Sequence, residues 1–209
     1  MRKIVETAQQ LIDDLRIQSK QKERRLVAIS GAPGSGKSTF SQVLKNELNK
    51  SQELAAVIPM DGYHLDNALL EGSGLLNRKG APETFDFYGF KHLMNRVKKE
   101  DEVIYPVFDR DREISVAGAG ILKKETKLVI VEGNYLLFDE QPWFSLCGFW
   151  DYSVFLEVDY KILERRLIDR WIHHGFSLDD ARRKALGNDI PNAKRVIAAR
   201  CHANRIIKF

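Results

Sequence analysis

The chain has 209 residues, 44% of them hydrophobic and 30% charged, which is the length of one large domain and a composition far from disordered or membrane-spanning chains. Its 33 basic residues face 29 acidic ones, a net charge of +4 spread along the chain; that balance suits an anionic nucleotide as well as nucleic acid, and no nucleic-acid partner is expected. Cys147 and Cys201 stand far apart, in neither a C-x-x-C nor a zinc-like spacing, so no disulfide is expected, and with no apolar leader or long apolar run the reading is a cytoplasmic protein without a membrane span.

Taken in chain order, residues 3–19 place Ile4, Ala8, Leu11, Ile12 and Leu15 at helical spacing with charged residues between them. This predicts an amphipathic helix within residues 1–22 that covers the domain's own core. The basic run at 20–25 is short and contains Glu23; it reads as a solvated helix end or linker. Residues 26–30 form a short apolar, β-branched run that ends at a glycine-rich turn, and 37–49 then read as a helix. Further strand-like runs at 54–58, 103–107, 128–131 and 153–157 alternate with helical patterns at 89–99 and 160–174. Strands interleaved with helices imply a mainly parallel, doubly wound sheet in an α/β domain. Residues 72–89 carry Gly72, Gly74, Gly80 and Pro82 without periodicity and are expected to be a long functional loop. Trp143, Phe144, Phe149 and Trp150 are expected to pack the core. No repeat or linker divides the chain, so residues 1–209 are read as one domain.

Gly31, Ala32, Pro33, Gly34, Ser35, Gly36, Lys37 and Ser38 satisfy G-x-x-x-x-G-K-[ST] in full, with Thr39 following. The motif lies between a predicted strand and a predicted helix, the context a phosphate-binding P-loop requires. Glycines at 34 and 36 let the backbone turn its N–H groups toward a phosphate at the positive end of the helix. Lys37 then neutralises the β- and γ-phosphates of ATP, and Ser38 offers a hydroxyl to Mg²⁺.

Asp61 follows the second strand within Met60-Asp-Gly-Tyr-His64. At the carboxyl end of a parallel strand it is either a general base for an attacking hydroxyl or a turn aspartate beside Gly62. Glu132 ends the apolar run at 128–131, where P-loop enzymes place a metal-holding acid, so it supports Mg²⁺ or water unless it only shapes the turn before Gly133. Arg166 and Arg170 lie four apart on one helix face, either as a lid over the phosphates or as solvated surface.

In this order the residues resemble the P-loop kinases that include uridine/cytidine kinases, phosphoribulokinases and bacterial type I pantothenate kinases. The likeness runs from about 25 to 171 and rests on the P-loop, Asp61-Gly-Tyr-His64, Ala81-Pro-Glu-Thr-Phe-Asp86, Tyr105-Pro-Val-Phe-Asp109, Val131-Glu-Gly133 and the Arg-rich helix. It implies a three-layer α/β/α P-loop NTPase fold, a lid within 160–190, ATP and Mg²⁺ as cofactors, and a small-molecule acceptor. It further implies Asp61 as base, Lys37, Glu132, Arg166 and Arg170 as catalytic groups, and Tyr63, His64, Arg78, Glu83, Phe85, Tyr105, Asp109 and Arg110 as acceptor-binding. Glu83 stands where uridine kinases carry an aspartate, which implies a different or smaller acceptor; Arg78, Lys79 and Arg110 add positive charge beside the expected pocket, which suits an acceptor bearing a carboxylate or phosphate, although Arg78 and Lys79 are equally read as loop residues that serve solubility. Residues 188–192 are expected as a loop near the adenine. Homodimers are common in the family, although no residue here marks an interface. A nucleotide-dependent switch or ATPase is the rival, but no N-K-x-D guanine motif or ABC-type signature is present.

Overall fold

The structure is a computed structural model and describes residues 2–17, 24–50 and 54–209. Strands β1 (Arg25–Gly31), β2 (Ala55–Pro59), β5 (Leu128–Gly133), β6 (Tyr152–Glu157) and β7 (Arg205–Lys208) form one sheet in the order β2-β5-β1-β6-β7, with every pairing parallel. Both faces are covered, and the pleat sorts the side chains. From β1, Leu26 and Ala28 enter one core with Ile58, Val129, Val131 and the aromatics of α4 (Phe87–Lys99). Val27 and Ile29 enter the other, with α1 (Arg2–Ile17) and α2 (Lys37–Lys50). Alternation in a buried parallel strand therefore feeds two cores at once, which is why β1 reads as a continuous apolar run. The predicted three-layer α/β/α arrangement is present.

The predicted strand at 103–107 forms but does not join the parallel sheet. It is β3 (Val103–Asp109), paired antiparallel with β4 (Ile114–Leu122) in a separate two-stranded hairpin. The run at 72–89 is not one structureless loop: α3 (Asn67–Gly72) leads into 3₁₀ turns at Leu76–Arg78 and Pro82–Thr84 and then into α4. Beyond β6 come α5 (Tyr160–His173), α6 (Leu178–Lys184), a π-helical turn at Ala185–Asp189, and α7 (Ile190–Ala198).

The helix at the N-terminus covers the core as expected, with Ala8, Leu11, Ile12 and Leu15 buried; the residues at 18–22, with the part of the basic run up to Glu23, lie outside the described residues. The rest of that run is structural and not merely solvated. Arg24 donates to the carbonyls of Val97, Glu100, Asp101, Lys123 and Thr126, and Arg25 donates to that of Leu15. Trp143 is buried, whereas Phe144 is exposed, against expectation. The two cysteines also correct the sequence reading: Cys147, after the 3₁₀ turn at Trp143–Leu146, is disulfide-bonded to Cys201. Backbone pairing of Cys201 and Ala199 with Leu137 and Asp139 draws the two segments together, a tertiary contact that spacing does not reveal. Among the described residues no helix is long and apolar enough to cross a membrane.

Candidate active site

At the end of β1 the chain turns tightly. A Cβ on Gly31 would stand 2.8 Å from Ser35 Oγ and 2.9 Å from the Leu156 carbonyl, and Gly34 and Gly36 take φ of +79° and +89°. These left-handed conformations favour glycine and bring the loop round into α2. Nothing lies within 4 Å of a Cβ built on Gly36, so the cradle opens outward. Ala32, Pro33 and Ser35 are buried, while Ser38 and Thr39 are exposed at the first turn of α2. The Ser35 hydroxyl is buried and has no hydrogen-bond partner among the described residues, a donor that fits a phosphate oxygen.

Lys37 is buried and donates to the Ala32 carbonyl at 3.0 Å. Burial pulls its amine down to about 8, against the opposing pull of Glu132 and Asp61. Ser38 Oγ donates to Glu132 Oε1 at 2.9 Å. Glu132 sits mid-sheet in register with Ile29 on one side and Pro59 on the other. Burial pushes its carboxyl up, and the Asp61 carboxylate adds to that. The hydroxyl and carboxylate are hard oxygen donors at the edge of the phosphate cradle, a set that fits Mg²⁺, which keeps several waters and needs few protein ligands.

Asp61 follows β2 in a 3₁₀ turn, Met60–Tyr63. Burial alone would raise its carboxyl, but His64, Arg110 and Lys37 together hold it below the usual range. Burial lowers the His64 ring, against the opposing pull of the Asp61 carboxylate and carbonyl. Arg110, in the β3–β4 turn, donates directly to Asp61 Oδ2. Gly62 is required here: a Cβ would lie 2.2 Å from the Pro106 carbonyl oxygen. Ser115 Oγ of β4 donates to the Gly62 carbonyl, which fastens the hairpin to the turn.

The remaining expected acceptor residues divide. His64 lies between the rings of Phe85 and Phe108, at centroid distances of 4.1 and 4.6 Å, with its Nδ1 2.8 Å from the Asp61 carbonyl. Glu83 is exposed and paired with Arg78 at 2.6 Å, with Arg195 at 3.6 Å. Tyr63 packs edge-on against Phe90, and burial pushes its hydroxyl to about 12. Tyr105 is turned away: it is buried and donates to the Val57 carbonyl at 3.2 Å. Asp109 is engaged in the hairpin's own turn, accepting from the Asp111 and Arg112 backbone and from Arg112 Nε.

Helix α5 lies directly against the P-loop, with Leu167 Cγ 3.2 Å from a Cβ built on Gly34. Arg166 donates to the Gly34 carbonyl at 3.1 Å. Arg170 is near enough to lower the Lys37 amine and is paired with Asp189 Oδ1 at 3.1 Å, while Trp171 Nε1 donates to Asp189 Oδ2 at 2.6 Å. Residues 188–192 are therefore helical and not the expected loop. Asn188 donates to the Lys79 carbonyl at 2.8 Å and Tyr135 donates to that of Gly80 at 2.6 Å, so both brace the segment before Glu83. Tyr135 and Arg195 were not legible as neighbours of this segment, because each reaches it from a distant part of the chain, and Asn188, expected near the adenine, is engaged with the Lys79 carbonyl.

Residues 26–207 match the model of the Phosphoribulokinase / Uridine kinase family. The chain is 36% identical over 188 residues, 89% of its length and 78% of the relative's, to the "Uncharacterized protein YggC" of Escherichia coli strain K12. It is 31% identical over 165 residues, 75% of its length and 70% of the relative's, to the "Putative uridine kinase C227.14" of Schizosaccharomyces pombe. Among solved structures it superposes with a TM-score of 0.91 and 49% identity, over 98% of both chains, on a "putative fructose transport system kinase" from Silicibacter sp. TM1040.

Proposed function

Since the chain belongs to the phosphoribulokinase/uridine kinase family, we propose that it moves the γ-phosphoryl group of ATP, with Mg²⁺, onto a hydroxyl of a small metabolite. One observation carries the reading: Asp61, in the turn that follows β2, and Glu132, near the end of the adjacent β5, bring two carboxylates to the P-loop side of the sheet, where Ser38 donates to Glu132 and Arg110 to Asp61. A pure nucleotide switch has no use for the Asp61 carboxylate.

In this mechanism the P-loop amides, Ser35 and Lys37 bind the ATP phosphates, and Ser38 and Glu132 hold the metal, whose chemistry is to neutralise charge on the phosphate oxygens. Asp61 accepts the hydroxyl proton as the acceptor oxygen bonds to the γ-phosphorus. The bond from that phosphorus to the β–γ bridging oxygen breaks, and ADP leaves. Arg166 and Arg170 on α5 stabilise the charge on the transferring group, and the lid must exclude water for transfer to outrun hydrolysis.

The test is ATP turnover by wild type and Asp61→Asn against nucleosides, hydroxy acids, sugars and their phosphates. Acceptor-dependent turnover that falls about a hundredfold or more in the variant is expected for a lost general base. Acceptor-independent hydrolysis that survives the substitution would move the protein to the ATPase or switch class.

A further inference from the structure

We infer that the acceptor carries a carboxylate or phosphate group close to the hydroxyl it presents, and that Arg110 is the residue that selects it. The inference rests on the kinase reading above and names the acceptor's chemical class.

The cations around the acceptor wall are not equivalent. Arg78 is held by Glu83, Arg195 by Glu140 and Glu83, Lys79 by Glu113 and the Asn67 side chain, and Arg112 by Asp109. Each of these acids stands outside the reacting groups, so those charges are already compensated. Arg110 differs: among the described residues its one ion-pair partner is Asp61, the base itself. A guanidinium has five N–H donors in a rigid fork. Among the described residues, only Nη2 of Arg110 is hydrogen-bonded, to Asp61 Oδ2, and its side chain is 54% exposed. The remaining donors have no partner among the described residues, on a guanidinium in contact with the base that an acceptor hydroxyl must reach.

An arginine so placed bridges two anions. With Asp61 on one edge, its other edge presents paired donors to a carboxylate or phosphate, a geometry suited to bidentate recognition. The bound anion then lies about one guanidinium width from the Asp61 carboxylate, so it belongs to a group only a few bonds from the phosphorylated hydroxyl. Without Arg110 that anion would face Asp61, Glu132 and the ATP phosphates uncompensated. A neutral acceptor meets no such repulsion.

The surroundings support the assignment. Lys79 Nζ and Arg110 Cζ lie 5.1 and 6.0 Å from the centroid of the same Phe108 ring, so the guanidinium has an aromatic ring packed beside it. The hairpin presenting Arg110 is braced by the Ser115–Gly62 hydrogen bond and by the close Gly62–Pro106 backbone contact, which fixes the guanidinium relative to the base.

The experiment compares matched acceptors in steady-state kinetics: glycerate with glycerol, pantothenate with pantothenyl alcohol, and ribulose 5-phosphate with ribulose, using wild type, Arg110→Gln and Arg110→Lys. The expected result is that wild type prefers the anionic member of at least one pair. Arg110→Gln should erode that preference by about 30-fold, as for loss of a charge-assisted hydrogen bond, and Arg110→Lys should restore part of it. The hydroxy-acid and phosphosugar arms distinguish the two sources of negative charge. Preference for the neutral member in every productive pair would overturn the inference, as would equal losses for both members in Arg110→Gln, which would reduce Arg110 to a support for Asp61. Turnover without dependence on any acceptor would instead sink the kinase reading beneath it.

Discussion

Lys37 is charged where charge is expensive. Burial lowers its amine from 10.5 to about 8, so at neutral pH the folded chain keeps a buried cation at a penalty of about 3 kcal/mol. Between about pH 8 and 10.5 the native state binds fewer protons than the unfolded one, and this group's contribution to stability rises with pH across that window. Below pH 8 the penalty is felt in full; above the unfolded value it is gone. Lys37→Met should therefore stabilise the nucleotide-free protein at pH 7 by up to about 3 kcal/mol in denaturant unfolding, and the gap to wild type should close near pH 11. The same variant should lose the thermal stabilisation that ATP gives wild type, because the penalty is the counterpart of a phosphate-binding charge. A variant no more stable than wild type at pH 7 would show that the amine is not held in a low-dielectric site. The two carboxylates are divided in the same way: His64, Arg110 and Lys37 hold Asp61 below the usual range, while burial pushes Glu132 up, and such divergence is what separates acid and base roles in a site.

The hairpin of β3 and β4 is the element on which the candidate acceptor wall depends, and Gly62 is where it is seated. Alanine there would drive a methyl into the Pro106 backbone, and a flexible side chain is not available to give way. Gly62→Ala should lower the melting temperature by several degrees, in line with the 1–3 kcal/mol typical of overpacking. It should lower acceptor-dependent kcat/KM further than the stability loss explains, because displacing the hairpin moves Arg110 from Asp61. An unchanged melting temperature and activity would mean the hairpin shifts freely. This element also marks where the sequence stopped being informative. The P-loop was legible because its function is written in local spacing, and β1, β2, β5 and β6 because a doubly covered strand is a short apolar run between turns. The run at 103–107 has the same composition, and composition does not say which strand is its neighbour. Its partner Ile114–Leu122 contains Ala117, Gly118, Ala119 and Gly120, which mute the β-branched signal, and β7 has only four residues. Asp61 was legible as a residue at a strand end. Its pairing with Arg110, 49 positions away, is tertiary, as are the Asp189 bonds to Arg170 and Trp171 that tie the π-helical turn to α5.

At the scale of the molecule, the chain closes a long loop with a covalent bond that spacing gave no reason to expect. Cys147 and Cys201, 54 residues apart, fasten the stretch after β5 to the segment between α7 and β7. The enclosed loop contains β6, α5, α6, the π-helical turn and α7, and with them Arg166 and Leu167, which meet the P-loop at Gly34. Arg195 of α7 pairs across to Glu140, on the other side of the same closure. Cross-linking a loop of this length restricts the unfolded ensemble by about 4 kcal/mol in the chain-entropy picture, with about 2–4 kcal/mol more usual in measurement. For a chain of this size that corresponds to roughly 5–12 °C. Cys147→Ser, compared with wild type under non-reducing conditions, should melt lower by that amount, and adding a reductant should bring wild type down to the variant while leaving the variant unmoved. Nucleotide affinity should change little, since Gly31, Lys37 and Ser38 lie on β1 and α2, outside the loop. If affinity instead fell with the disulfide, α5 and the P-loop would be coupled through this bond, and the Leu167–Gly34 and Arg166–Gly34 contacts would be the path by which its loss reached the phosphate-binding turn.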